Sequence, residues 1–292
     1  MNTNNNHATD NLKKKSLLKV TIHSFFIIPF LVTVFCLLLY GLFHILTNEE
    51  HSVYDYLNDV KVGSFTKRWQ SAFELSKILA NHDLIPSDDR FVNELTVIFE
   101  QAKYDDDRVR QYLALAMGRT GNIKFVDPLL AALPGEKESN VPALIHALGL
   151  LKSKKSLPAI SSYVNDANPK IRLTSVIALG NIGDAGSLPD LKLALGDEEP
   201  NVQWDAAIAL AKLGDASGRD ILEKLLSRDY LAKFPEVDPY EQDQALVVAI
   251  EASTLLDDPS LNAMIRNLSR KDRNMNVRRA AMKAIDADTV KQ

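Results

Sequence analysis

Cysteine is almost missing from this chain: Cys36 is the only one in 292 residues. No intrachain disulfide can form, and no thiolate ligand set can be built. Histidine is scarce, with six in all, and only His82 and His146 lie clearly within the body of the chain. No histidine is followed by glutamate and no His-Glu-x-x-His motif occurs, so metal-ligand spacing is absent and no metal or cofactor is expected. No Gly-x-Ser-x-Gly elbow marks a nucleophile. The chain reads as one without catalytic residues, and not as an enzyme. A basic stripe is missing too. The net charge is −4, and residues 1–19 carry +3, so the remainder carries −7. An acidic domain lacks the cationic surface that nucleic-acid binding depends on. The basic cluster Arg270–Arg279 is a local exception that reads as a solvated cap.

What the chain has instead is a repeated phrase. Ile171–Asp184 recurs at a constant spacing as Val109–Asn122, Asn140–Ser153 and Val202–Asp215. Ala116, Ala147, Ala178 and Ala209 stand in register, each followed by Met117, Leu148, Leu179 or Leu210. Next come Gly118, Gly149 and Gly180, with Ala211 as the exception. A period of this length marks a stacked repeat architecture.

Each unit has two halves. Upstream of each alanine phrase, Leu129, Ile160, Leu191 and Leu222 form one column and Leu133, Val164, Leu195 and Leu226 a second. One helical turn apart, the two columns share a helix face. Turn signals at Asn165–Pro169 and Gly196–Pro200 separate the halves, since proline suits the first turn of the helix that follows. Gly183-Asp184 and Gly214-Asp215 read as helix stops. One helix–turn–helix unit cannot bury its apolar face alone, so the units must stack. A small residue recurring at one point predicts close approach of the second helix to a neighbour.

On these residues the chain resembles the HEAT repeat, in its short PBS-lyase HEAT-like variety. The resemblance rests on D-x-x-P-x-[IV], present as Asp166 to Ile171 and Asp197 to Val202, and on the A-L-G-x-[IL]-G-D phrase. It covers roughly residues 54–288 and implies an α-solenoid that binds other proteins. A few such proteins are enzymes or enzyme subunits. One group, deoxyhypusine hydroxylase, is implied by the resemblance to hold iron through His-Glu pairs, and this chain has none. Phycobilin-lyase subunits are the other enzymatic relatives.

The N-terminal segment sets a second expectation. Residues 1–19 are Asn-rich and then basic, with Lys13, Lys14, Lys15 and Lys19. Val20–Leu46 follows without a single charge, long enough to span a bilayer core with some tilt. It is longer than the apolar region of a signal peptide and lacks an A-x-A-like site. Four lysines before it, and Glu49, Glu50 and Asp55 after it, place the N-terminus in the cytoplasm and the rest across the membrane. The expected fold is therefore all-α: an α-solenoid of about seven HEAT-like repeats preceded by one transmembrane helix. The expected segments are a 1–19 tail, a 20–46 anchor, a 47–53 linker, a 54–288 solenoid and a 289–292 tail. The expected protein is a single-pass, extracytoplasmic scaffold, with the lipid bilayer and one or more proteins as partners. The alternatives are a lyase-like enzyme subunit and an accessory subunit of a transporter or envelope complex.

The period breaks twice. Leu75 to Met117, and again Leu222 to Met264, are equivalent positions set wider apart than the regular spacing. The extra pieces lie near Asn81–Arg90 and Ser227–Gln244. The second carries Tyr230, Phe234 and Tyr240 among five acids, and these three aromatics are the candidate partner-binding residues. The competing reading is that Tyr230 and Phe234 tuck into the solenoid edge and pin the loop. The concave face is the other candidate site.

Overall fold

A computed structural model describes residues 26–47, 51–235 and 237–289. The 1–19 tail, residues 20–25 of the expected anchor, part of the linker, Glu236 of the second insertion and the last three residues lie outside the described residues. Among the described residues there are sixteen α-helices and no strand. The chain divides into two units, residues 1–52 and 53–292.

In the first unit the described helix is α1 (Ile28–Thr47), preceded by a π turn at Phe26 and Ile27. Pro29 stands in its first turn, where no backbone N–H is needed. The described helix begins only at Ile28, inside the uncharged run that starts at Val20. Among the described residues no helix is long and apolar enough to cross a membrane. This overturns the transmembrane helix over 20–46 within the fold class. It equally removes the support for a bilayer partner and for a single-pass protein with an extracytoplasmic solenoid. Among the described residues of α1 most side chains are nonetheless exposed, Phe30 at 67 % and Leu38 at 68 %.

The second unit holds, among its described residues, seven helix pairs. The first helix of each pair is α2 (Val53–Val62), α4 (Asp89–Gln101), α6 (Val126–Ala132), α8 (Leu157–Ser161), α10 (Leu188–Ala194), α12 (Arg219–Leu225) or α15 (Pro259–Lys271). The second is α3 (Phe65–Ile78), α5 (Asp107–Arg119), α7 (Val141–Leu150), α9 (Pro169–Ile182), α11 (Pro200–Lys212), α14 (Pro239–Ser253) or α16 (Met275–Thr289). A short α13 (Arg228–Leu231) lies between α12 and α14. Each first helix packs on its own second helix, and the second helices run as a ladder α3–α5–α7–α9–α11–α14–α16. That is the nearest-neighbour stacking of a solenoid.

The columns read from the sequence lie in the core, all but Leu195, which is half-buried. Leu129, Ile160, Leu191 and Leu222 are all fully buried, each contributing about 1.5–3 kcal/mol on transfer from water. Four of the first helices are short, because 3₁₀ turns at 123–125, 154–156, 185–187 and 216–218 take up their starts. The expected stops hold: Gly183 and Gly214 adopt left-handed φ of 68° and 75°, which glycine accepts without a Cβ penalty. Lys152 occupies the same register position at φ 51°, a conformation that costs an L-residue about 1–2 kcal/mol.

The glycine and alanine columns meet across the ladder. A Cβ placed on Gly118 would sit 2.6 Å from Ala147 Cα, and one on Gly149 2.7 Å from Ala178 Cα. One on Gly180 would sit 2.7 Å from Ala209 Cβ. Each glycine thus receives the alanine of the next unit, and any larger residue would force the backbones apart. Gly149→Ala should lower the melting temperature. The obstructing atom is backbone, so overpacking of about 1–3 kcal/mol outweighs a helix-propensity gain of roughly 1 kcal/mol. Gly196→Ala, whose nearest obstacle is 3.6 Å away, should melt like the parent. Equal melting of the parent and both variants would show that the helices do not depend on this contact.

Candidate partner-binding surfaces

The charged groups nearest the core are committed to structure. Arg110 is 2 % exposed. Its Nε and Nη2 donate to Glu136 Oε2 at 2.9 and 2.7 Å, Nη1 donates to the Phe99 carbonyl, and the guanidinium lies 3.7 Å from the Phe99 ring centroid. Arg172 repeats the device further along the stack. It donates from Nε and Nη2 to Asp197 at 2.8 and 2.9 Å, and from Nη1 to the Asp166 carbonyl at 3.0 Å. Burial pushes the Asp197 carboxyl up, but the Arg172 guanidinium and the Glu199 N–H outweigh it and hold it below the usual range. Arg68 makes the same kind of contacts, to Asp105 and to the Val60 carbonyl. Near the start of each of these second helices a guanidinium therefore joins a backbone carbonyl to a carboxylate across the turns of the stack. Bidentate pairing of the kind Arg172 makes favours arginine over lysine. Sequence reasoning missed these residues, although Arg68, Arg110 and Arg172 share one register column.

What remains for binding is the face of the second helices turned away from the first. One column runs along it: Phe73, Leu115, His146, Ile177 and Ile208. Phe73 is 36 % exposed, the next three are half-buried, and Ile208 is 8 % exposed. Between α5, α7 and α9 the face opens into a groove of about 350 Å³ lined by Tyr112, Leu115, Pro142, His146, Lys170 and Ile177. Phe73 packs edge-on against Tyr112 at 5.1 Å and extends the apolar row toward α3. His146 stands in the middle of this row, half-buried. Burial and the Arg119 charge lower its pKa, so at neutral pH it joins the row uncharged.

The three candidate aromatics of the second insertion separate into two groups. Tyr230 and Phe234 turn inward onto Trp204 of α11, with ring centroids at 6.2 and 5.0 Å and 5.2 Å between themselves. Trp204 Nε1 donates to the Tyr230 hydroxyl at 3.2 Å. Such edge-to-face trios add to the burial of their area. Arg228 of α13 fastens the insertion from the other side, donating to both Asp272 carboxylate oxygens at 2.9 and 2.7 Å. Tyr240, at the start of α14, stands apart and is 69 % exposed. Asp238 caps that helix in a reciprocal box with Glu241. Among the described residues, no group of three or more His, Cys, Asp or Glu could hold a metal ion.

These features define the class first: an all-helical repeat protein whose titratable groups brace the stack. The HEAT-repeat family model matches residues 127–194 and again 158–233, and that part of the chain consists of HEAT repeats. Comparison with curated proteins gives no match. Among solved structures, the chain is similar to the complex of CpcE and CpcF of phycocyanin lyase from Nostoc sp. PCC7120. The identity is 19 % over 82 % of this chain and 96 % of that one, with a TM-score of 0.56. At that identity the likeness is one of fold. Human deoxyhypusine hydroxylase in complex with glycerol aligns at 14 % identity over 80 % of this chain and 93 % of that one, with a TM-score of 0.33.

Asp205 shows that the stack also carries an electrostatic cost. It follows Trp204 in α11, is half-buried, and its carboxyl is pushed up to about 6 by burial, with Lys212 opposing. A raised folded-state pKa means the stabilised form is the protonated one. Stability is full below the unfolded value near 4 and is lost as pH rises through about 6. Asp205→Asn should therefore raise the melting temperature at pH 7.5 and leave it nearly unchanged at pH 4. A gain that is no larger at pH 7.5 than at pH 4 would show that Asp205 is solvated in the folded chain.

Proposed function

We propose that this chain is a non-catalytic HEAT-repeat scaffold that holds a protein partner against the exposed face of its second helices. The observation that supports this reading most is the row Phe73, Leu115, His146 and Ile177, which stays partly open to solvent beside a groove while the column Leu129, Ile160, Leu191 and Leu222 is fully buried. Contiguous apolar surface of this kind is a mark of interaction sites. In this reading Tyr230 and Phe234 hold the insertion in place, and Tyr240 offers a ring at the C-terminal end of the binding face. The buried Arg–carboxylate pairs Arg110–Glu136 and Arg172–Asp197 are committed to the stack, in keeping with a structural role for them.

A second reading is favoured by the fold likeness to the CpcE–CpcF complex. There the chain would be one subunit of a two-chain lyase-like assembly, with the same face covered by the other subunit. Both readings put a polypeptide on the second helices. They part on activity: a scaffold leaves its partner chemically unchanged.

Photo-crosslinking in cells tests the shared claim. A benzophenone side chain at position 177 should give discrete protein adducts. The same group at Leu193, exposed on first helix α10 at 55 %, should not. Adducts from position 193 with none from 177 would move the site to the opposite layer and defeat the proposal.

A further inference from the structure

The groove between α5, α7 and α9 is unlike the domain around it in charge. Residues beyond 19 sum to −7, yet the groove is lined by no carboxylate, and its one charged lining residue is Lys170. The Lys170 side chain is exposed, and among the described residues no carboxylate pairs with it. Other lysines of the stack differ. Lys137, Lys154 and Lys192 each hold an aspartate at 2.8, 2.5 and 2.7 Å. Asp107, which reaches the rim through Ser139, is already taken by Lys137 at 2.8 Å and by the Ser139 hydroxyl at 2.9 Å. Gln111, also on the wall, spends its amide on the Ser139 carbonyl at 3.0 Å and on Asn140. The lining therefore offers an apolar floor of Tyr112, Leu115, Pro142 and Ile177, neutral His146, and one cation paired with no carboxylate, the nearby Glu138 being held by Asn168 at 2.7 Å.

We infer that this groove takes an acidic segment of a partner polypeptide, one that seats a branched or aromatic side chain on the Tyr112–Leu115–Ile177 floor and places a carboxylate against Lys170. This rests on the scaffold reading and adds to it the sign of the ligand's charge. The apolar floor supplies affinity, while Lys170 supplies selection, because a cationic segment would face an uncompensated ammonium and meet no acid in the lining. A half-exposed ion pair contributes modestly on its own, so the preference should show as a ratio between ligands more than as absolute tightness.

The test is selection from a random dodecapeptide phage library on the full-length chain, compared with Lys170→Glu and Ile177→Asp. The parent should enrich peptides with Leu, Ile, Phe or Trp next to Asp or Glu. Lys170→Glu should weaken the best of these by roughly fivefold or more, as attraction turns into repulsion, and should itself enrich basic peptides. Ile177→Asp should lose them all. Peptides that depend on Ile177 but show no acidic bias, or keep their affinity for Lys170→Glu, would overturn this inference and leave the scaffold reading intact. Peptides insensitive to both substitutions would overturn it as well. So would failure to enrich any peptide while position 177 still crosslinks in cells. Failure of that crosslink is what defeats the scaffold reading itself.

Discussion

A glycine in one second helix receives the backbone of an alanine in the next, and this steric contact, repeated along the ladder, governs the stack. Nothing else in the unit limits the distance between neighbours so sharply. A leucine can change rotamer and a surface ion pair can stretch, but Gly149 against Ala178 Cα leaves nothing to adjust. Close approach of the second helices also brings the guanidinium of one unit within reach of the carboxylate of the next. Arg110–Glu136 and Arg172–Asp197 can then close as short, buried pairs. Breaking such a pair by removing one partner costs about 3–5 kcal/mol, since the other charge is left stranded.

Much of this was legible in the residues. The constant register carried the pairing of helices, the buried leucine columns and the small-residue contact, because packing in a repeat acts on the same position every time. What was not legible followed from contacts that cross units without repeating strictly. The arginine clasp skips the units in which Val141 and Gln203 hold its place, so it left a broken column. The groove depends on which side chains face outward from three different helices, and only their packing shows it. The insertion shows the same limit. Aromatic density alone marked Tyr230, Phe234 and Tyr240 alike, whereas Trp204 in the preceding second helix draws two of the three inward. The N-terminal run misled for a simpler reason. Lack of charge from Val20 to Leu46 is a property of composition, and it does not fix how many of those residues fall in one sufficiently apolar helix.

The insertion also explains how the period can break without breaking the stack. Helix α11 faces two apolar clusters. Val202, Ala206, Ala209 and Leu210 belong with the preceding units, and Trp204, Ala207, Ile208 and Ala211 with the following ones. Gly218 repeats the small-residue contact here from the other direction, since a Cβ on it would sit 2.6 Å from Ala207 Cα. Arg228 and the aromatic trio then fix the added residues to both neighbours. The ladder continues through it, α11 packing on α14 and α14 on α16.

If the second-helix ladder is the core of the stack, site-resolved hydrogen exchange on the unmodified chain will show it. The slowest amides should form one contiguous block in α5, α7, α9 and α11, with α6, α8 and α10 exchanging faster through local opening. Slowest exchange in the first helices, or uniform protection across both layers, would contradict that role for the ladder.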